Sequence, residues 1–284
     1  MSRIGIWFDG GGQFGFGNIC RSGEIAREFA RRGHEVFSVA LSLKARSLCS
    51  RPMEDRGRAD VVVLDVPYPG DEEVRRAREF GAKVVALDYE GSEAPEAVVA
   101  LQGGRLMPAG TRCHVGIEFA IIRSELRAVK GAGGNGGEVL VIMGGGDFQG
   151  LSHEIARKLP SVPLCIVQGP NAGTLQIERD NVRVLQSPSA LPELMSECPW
   201  AVTSGGTTML EMLHLGKATH VVPRTVDETK FARQFLEKGA LLGLGLEDLC
   251  EPGSGQRRSC ERKGPELVDG HGAERIADIV EEFL

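Results

Sequence analysis

The chain has 284 residues, of which 42% are hydrophobic and 25% are charged, and it carries a formal net charge of -6 at pH 7. This length accommodates two domains of ordinary size, and the composition is that of a globular protein. The negative charge argues against nucleic acid as the main partner, and no apolar run is long enough to cross a bilayer.

The N-terminal residues lack the pattern of a signal peptide, because the apolar run over residues 4–8 leads directly into a glycine turn. The seven cysteines contain no Cys-x-x-Cys pair, which indicates reduced thiols and no structural metal. We therefore expect a cytoplasmic protein without a metal. A monomer is compatible with the sequence, and the oligomeric state stays open.

The N-terminal half predicts a parallel α/β sheet. A glycine-rich loop from Asp9 to Gly17 joins the first strand to the first helix, and Gly33 ends that helix. The order strand, glycine loop, helix, strand is typical of nucleotide-binding sheets. The predicted elements are strands over residues 3–8, 36–41, 61–65 and 83–88 and helices over residues 18–32 and 71–80.

Acidic residues follow three of these strands. Asp9, Asp65 and Asp88 stand at the carboxyl ends of the first, third and fourth strands. Open α/β sheets bind their ligands at that edge, so we expect the three aspartates to line a polar pocket. The alternative is that the aspartates only end strands and begin turns. Arg21, in the first turn of its helix, either meets the substrate or pairs with Asp9.

A glycine-rich segment over residues 131–137 separates the two halves, and the α/β pattern restarts after it. The second half predicts strands over residues 138–143, 163–168, 181–185, 201–204 and 218–223 and helices over residues 151–159, 188–197, 227–238 and 273–284. We expect two Rossmann-like domains that face a cleft, over residues 1–130 and 138–284, with the last helix crossing back onto the first domain. Residues 251–263 have little apolar content and are expected to form a mobile loop.

The turn Ser204-Gly205-Gly206-Thr207, between a buried strand and a helix, indicates an anion site. Glycines let the backbone approach an anion, the first-turn amides donate to it, and the helix dipole adds a partial positive charge. Glu211, about one turn further on, is placed to accept hydrogen bonds from the ribose of a nucleotide. The alternative is a turn that binds nothing, as in many α/β proteins.

Several segments, in order along the chain, match the motifs of one known group. They are Asp9 with Gly15 to Arg21, Asp65-Val66-Pro67-Tyr68, Gly116 to Glu125, Gly144 to Asp147, Ser204 to Thr207 with Glu211, and Asp269 to Ile276. On these segments the chain resembles the MurG-like glycosyltransferase-B superfamily, and within it the nucleotide-sugar hydrolases of the PseG/SpsG type.

The resemblance implies the glycosyltransferase-B fold and the hydrolysis of a UDP-activated 2,4-diacetamido-trideoxy sugar to free sugar and UDP. This reaction belongs to the biosynthesis of pseudaminic-like acids or surface polysaccharides, and UDP is then part of the substrate, so no separate cofactor is implied. The resemblance places the nucleotide at Gly15, Gly17, Gly144, Gly145, Ser204, Gly205, Gly206, Thr207 and Glu211, and the reaction at Asp9, Asn18, Asp65 and Tyr68. We expect Asp65, Tyr68 and Asp88 to contact the sugar.

The sequence departs from the family at its catalytic histidine. Asn18 stands at that position, and an asparagine side chain holds a hydroxyl or a water but cannot take its proton. Asp9 is the first candidate for a replacement base, with burial raising its pKa. The alternative for Asp9 is to accept amides of the glycine loop. His114 and His271, outside the predicted helices and strands, are weaker candidates.

A second departure lies after Pro223, where Asp227 and Glu228 replace the usual Asn-Gln pair. These carboxylates either repel the diphosphate, cap the following helix, or face an amino group of the sugar.

Three functions remain open at this point. They are a nucleotide-sugar hydrolase, a glycosyltransferase in which Asn18 positions an acceptor hydroxyl, and an inactive homologue that binds the nucleotide sugar.

Overall fold

A computed structural model describes residues 1–11, 16–48, 58–103, 108–131, 137–145, 147, 150–169, 172–173 and 175–284. The chain divides into two compact units, Met1–Arg123 with Gly270–Leu284 and Ser124–Asp269. Each unit contains one parallel six-stranded sheet with helices between its strands. The predicted α/β class is confirmed.

The first unit has the strand order β2-β1-β3-β4-β5-β6. All five residues of β3 are buried, and its first four are apolar, as expected for a central strand. The predicted elements are present with ends shifted by a residue or two. The elements are β1 (Arg3–Phe8), α1 (Gly17–Arg31), β2 (Glu35–Ala40), α2 (Leu43–Leu48), β3 (Val61–Asp65), α3 (Asp71–Glu79), β4 (Lys83–Leu87), β5 (Ala97–Ala100), β6 (Arg112–Val115) and, from the end of the chain, α10 (Gly272–Glu281).

The C-terminal helix α10 packs on α1 and belongs to the first unit. Its apolar face, with Ile276 and Val280, joins the core cluster that contains Ile25 and Phe29 of α1. Gly272 lies so close to the backbone of Ala120 that a β-carbon there would overlap it. The core of the first unit is therefore built from both ends of the chain.

The second unit has the strand order β12-β11-β10-β7-β8-β9. It begins at α4, which packs on α6; the predicted boundary was the segment 131–137, of which residues 132–136 lie outside the described residues. The elements are α4 (Ser124–Val129), β7 (Val139–Ile142), α5 (Leu151–Lys158), β8 (Leu164–Gln168), β9 (Val182–Gln186), α6 (Leu191–Glu197), β10 (Ala201–Thr203), α7 (Thr207–His214), β11 (Thr219–Val221), α8 (Val226–Glu237), β12 (Gly243–Leu244) and α9 (Ser254–Leu267). No helix in the described parts of the chain is both long and apolar enough to cross a membrane.

The prediction of a mobile loop over residues 251–263 is wrong, because this stretch forms most of α9. The helix has few apolar residues, yet it packs on α7 with Cys260 and Gly264 buried. A β-carbon on Gly264 would lie 2.6 Å from the carbonyl oxygen of Leu213. Close backbone contact through a glycine substitutes for the apolar stripe that the sequence lacks.

This packing predicts opposite effects for two glycine substitutions in α9. We expect Gly264→Ala to lower the free energy of unfolding by about 1–3 kcal/mol, because Leu213 and the helix must move apart. Gly255→Ala, where a β-carbon meets no atom within 4 Å, should raise it by about 0.5–1 kcal/mol. Urea unfolding measures both, followed by the fluorescence of Trp200 in a Trp7→Phe background, so that the signal comes from the second unit. Equal effects of the two substitutions would contradict the contact.

Two histidines in the second unit make its stability depend on pH. Burial lowers the pKa of both His214 and His220 below the ordinary value of 6.5. The unfolded chain then binds more protons than the folded unit at acidic pH, so stability is lost as the pH falls below about 6.5. We expect His220→Gln to reduce this loss of stability between pH 7 and pH 5, as measured by urea unfolding. His153→Gln, on the exposed face of α5, is the control and should leave the pH dependence of stability unchanged.

Candidate functional site

The acidic edge predicted for the first unit is present. The strands β1, β3 and β4 are neighbours in the sheet, so Asp9, Asp65 and Asp88 follow one another along its carboxyl edge. The backbone amide of Asp9 donates to the carbonyl oxygen of Asp65 over 3.2 Å. Asp88 has φ 46°, in the left-handed region, which aspartate tolerates better than most residues. Strained backbone of this kind is common at functional sites.

Asp65 is fully buried and is surrounded by donors from α1. Its Oδ1 accepts from Asn18 Nδ2 at 2.6 Å and from Arg21 Nη2 at 2.5 Å. Its Oδ2 accepts from Arg21 Nε at 2.8 Å and from Ser22 Oγ at 2.9 Å. A carboxylate bound in this way holds the start of α1 in place. Asp65 thus positions Asn18 and Arg21, and its own side chain has no exposed surface with which to contact a sugar.

Arg21 bridges two of the three aspartates. Besides its two bonds to Asp65, its Nη1 donates to Asp88 Oδ2 at 2.6 Å. The pairing with Asp9 that the sequence offered as an alternative is therefore replaced by pairing with the next two strands. Burial by itself lowers the pKa of Arg21, but the charges of Asp65 and Asp88 outweigh burial and raise it above its ordinary value.

Asp9 and Tyr68 form a second group at the same edge. Asp9 Oδ1 accepts from the Gly10 amide at 2.8 Å and from Ser42 Oγ at 2.5 Å, and its Oδ2 accepts from the Tyr68 hydroxyl at 3.3 Å. The bond from Gly10 is the bracing of the glycine loop that the sequence allowed. Burial, followed by the charges of Glu73 and Asp9, raises the pKa of Tyr68, so its hydroxyl stays protonated and acts as a donor.

A polar pocket of about 240 Å³ opens beside these groups in the first unit. Among the residues that the structure describes, its lining carries two carboxylates, Asp88 and Glu90, and one cation, Arg21. Because Asp65 accepts from the amide nitrogen of Asn18, the carbonyl oxygen of Asn18 is the acceptor that this side chain offers. The lining residues are Asn18, Arg21, Val66, Pro67, Tyr68, Asp88 and Glu90.

In the second unit, the ends of β7, β10 and β11 meet at the start of α7. A β-carbon on Gly144, which has φ 72°, would lie 3.5 Å from Ser204 Oγ and 3.6 Å from Arg224 Nη1. The helix begins at Thr207 after Gly205 and Gly206, as predicted. The Met209 amide donates to the Gly206 carbonyl oxygen at 3.1 Å, whereas the amides of Thr207 and Thr208 have no carbonyl partner earlier in the helix. Such amides at a helix start are the arrangement that binds phosphate.

The carboxylate of Glu228 lies at this helix start. Its Oε2 accepts from the amide of Gly205 at 3.2 Å and from the amide of Arg224 at 2.7 Å. Its Oε1 accepts from Arg224 Nε at 3.0 Å and Nη2 at 2.7 Å. Its backbone amide donates to Thr225 Oγ1, the cap of α8. Glu228 thus takes part in capping α8, whereas the Asp227 side chain is 90% exposed and lies 3.5 Å from Lys230.

The remaining predicted residues have varied surroundings. Gly15 lies outside the described residues, and Gly17 opens α1. Gly145 packs against Gly169, where a β-carbon would lie 2.6 Å from the carbonyl carbon of Gly145. Glu211 opens the second turn of α7 and is buried. Its contact with a ribose stays a prediction.

One of the two weaker histidine candidates is placed differently from what the sequence predicted. His114 lies in β6, which the sequence analysis missed, and so it is not a loop residue. His271 directly precedes α10 and is near Glu274 at 3.6 Å. Neither lines the pocket beside Asn18.

Sequence reasoning missed Arg224, Glu90 and Ser22. The signal for Arg224 was present, since Thr225 and Glu228 have the spacing of a capping box directly after it. Such a box fixes the entry into a helix and brings the preceding residue to the end of β11. The contribution of Ser22 has no signal in the sequence, because it depends on the turn of α1 that faces β3.

No protein-family model matches the chain. The spore coat polysaccharide biosynthesis protein SpsG of Bacillus subtilis is 21% identical over 334 aligned positions, which cover 99% of this chain and 98% of that protein. Among solved structures, MurG of Acinetobacter baumannii has a TM-score of 0.67 at 16% identity and covers 99% of this chain and 100% of that one.

Two further solved structures hold nucleotides. The S. aureus MnaA-UDP co-structure has a TM-score of 0.67 at 10% identity, with 100% of this chain and 97% of that one covered. Anabaena HepE in complex with UDP-glucose has a TM-score of 0.63 at 12% identity, with 99% and 100% covered. The two parallel sheets and this full-length likeness to solved structures show that the chain has the glycosyltransferase-B fold.

Proposed function

We propose that the protein is an enzyme of polysaccharide biosynthesis that transfers a sugar from a UDP-activated donor to a hydroxyl group. The similarity to SpsG, named for spore coat polysaccharide biosynthesis, supports the pathway class. The neighbours solved with UDP and with UDP-glucose support the nucleotide. UDP is part of the donor in this proposal, and no further cofactor is invoked.

The observation that carries the proposal is the pocket beside Asn18. Asp65 fixes the Asn18 amide so that its carbonyl oxygen accepts, which suits a substrate hydroxyl. The pocket volume of about 240 Å³ far exceeds the share of about 30 Å³ that one water takes in the liquid. The pocket is therefore large enough to hold a group of sugar size.

The charges of the pocket favour binding of the diphosphate in the other unit. Asp88 and Glu90 outnumber Arg21 in the lining, so a phosphate there would meet net repulsion. The start of α7 offers the opposite environment, with first-turn amides at Thr207 and Thr208 and a helix dipole. We assign the sugar or acceptor hydroxyls to the first unit and the diphosphate to the second.

Hydrolysis of the nucleotide sugar is the second candidate, and the motifs shared with the PseG/SpsG-type hydrolases favour it. A hydrolase needs a base to take a proton from water. Asn18 cannot do this, and the raised pKa of Tyr68 keeps its hydroxyl protonated. Asp9, which accepts from Tyr68, is the carboxylate at this edge that stays a candidate base.

UDP release by the full-length protein distinguishes these functions. UDP-glucose, UDP-N-acetylglucosamine and UDP-2,4-diacetamido-trideoxy sugars are each incubated with and without a panel of hydroxyl acceptors. Release that requires an acceptor supports the transferase, and equal release without one supports the hydrolase. Binding of UDP without release from any sugar over a wide pH range would contradict both and leave a binding protein.

A further inference from the structure

Arg224 and Glu228 form an ion pair inside the site assigned to the diphosphate. The Glu228 side chain is only 13% exposed and is held by two backbone amides as well as by two nitrogens of the Arg224 guanidinium. The backbone of Glu228 is also in close contact with Gly205, since a β-carbon on Gly205 would lie 2.8 Å from the Glu228 carbonyl oxygen. The Glu228 carboxylate is therefore held in a fixed position at the start of α7.

The guanidinium of Arg224 faces the glycine turn after β7. Its Nη1 is 3.6 Å from the position that a β-carbon would take on Gly144, and Ser204 Oγ is 3.5 Å from the same position. Glu228 is bound through Nε and Nη2 of Arg224, so the Nη1 side of the guanidinium faces Gly144. Arginine is the side chain best suited to bind phosphate oxygens by paired hydrogen bonds.

The Glu228 carboxylate weakens the binding of an anionic ligand at the start of α7. Glu228 cancels the charge of Arg224 and uses the Gly205 amide, which would otherwise add to the donors at the helix start. A free nucleoside diphosphate carries an ionisable terminal phosphate, whose second pKa is about 6, so at neutral pH it has one more negative charge than the same diphosphate esterified to a sugar. Repulsion by Glu228 is therefore greater for the free diphosphate.

We propose that Arg224 is the cation that binds the diphosphate and that Glu228 sets the preference of this site for sugar-linked over free diphosphate. The inference rests on the proposed function, in which the second unit binds the nucleotide. It makes Glu228 a specificity-determining residue that favours release of the diphosphate product.

The test is calorimetric binding of UDP and of UDP-glucose at pH 7.5 to the full-length protein and three variants. Glu228→Gln keeps an acceptor for the two amides and removes the charge, so it should bind UDP about tenfold more tightly and UDP-glucose about threefold more tightly. Arg224→Gln should bind UDP about tenfold more weakly. Glu237→Gln, which removes an exposed charge at the far end of the same helix, should bind both ligands as the parent does.

Unchanged or weaker UDP binding by Glu228→Gln, while the parent protein binds UDP, would overturn the inference and leave the proposed function intact. Failure of both the parent and Glu228→Gln to bind either ligand would instead contradict the proposed function. If Glu228→Gln does not fold, as judged by circular dichroism, Arg224→Gln decides. UDP binding equal to that of the parent would then overturn the role of Arg224.

Discussion

Asp65→Asn should lower the free energy of unfolding of the first unit by about 3–5 kcal/mol, because it removes the charge of one partner in a buried ion pair. Asparagine has nearly the same shape, but its amide nitrogen is a donor placed among the donors of Asn18, Arg21 and Ser22. Repulsion between these donors would also release Asn18 from its fixed orientation, so enzymatic activity should fall together with stability.

The two tryptophans allow this change to be assigned to one unit. Trp7 lies in β1 of the first unit and Trp200 lies in the second, so Trp200→Phe leaves a fluorescence signal from the first unit alone. Urea unfolding is then compared with and without Asp65→Asn. Asp88→Asn is the matched control, since Asp88 is 32% exposed and pairs with Arg21 through one bond. An equally large loss for both substitutions would show that Asp65 is not the centre of the network.

Asn18→His should create release of UDP from a UDP-sugar without any acceptor, at a rate about 100-fold above that of the parent protein. In the position of Asn18, one ring nitrogen of an imidazole donates to Asp65 and the other is left as a base near neutral pH. Water in the adjacent pocket can then be deprotonated. The acceptor-independent rate should rise with pH as the imidazole loses its proton.

Asn18→Gln is the matched control, because it keeps an amide and adds no base. It should show no acceptor-independent release and no such pH profile. If Asn18→His has the same acceptor requirement as the parent, the pocket beside Asn18 is not where the attacking group is activated. Circular dichroism and urea unfolding establish that each variant is folded before rates are compared.

The sheets were predictable because buried parallel strands have a strong signal. Apolar runs make up all of β7 and most of β1 and β3, and the aspartates at the ends of β1 and β3 mark the edge where the candidate site lies. The Gly-Gly-Thr turn likewise predicted the start of α7 at Thr207. Local sequence was sufficient here because each feature depends on residues that are close in the chain.

Features that depend on distant residues were not predictable in the same way. Three carboxylates were available to Arg21, and its choice of Asp65 and Asp88 follows from the strand order β1-β3-β4. The helix α9 was missed because backbone contact at Gly264 replaces an apolar stripe. The strands β5 and β6 are only four residues long, and β6 is largely exposed at the edge of the sheet.

The contribution of α10 to the first unit bears on the order in which the protein matures on the ribosome. Residues 124–269 can complete their unit as soon as they have emerged, whereas the apolar surface of Ile25 and Phe29 must wait for Ile276 and Val280. The part synthesised first is thus finished last, and in the interval it is a natural client for chaperones. A nascent chain stopped before Gly270 would resist protease in its later unit and be cut in its earlier one.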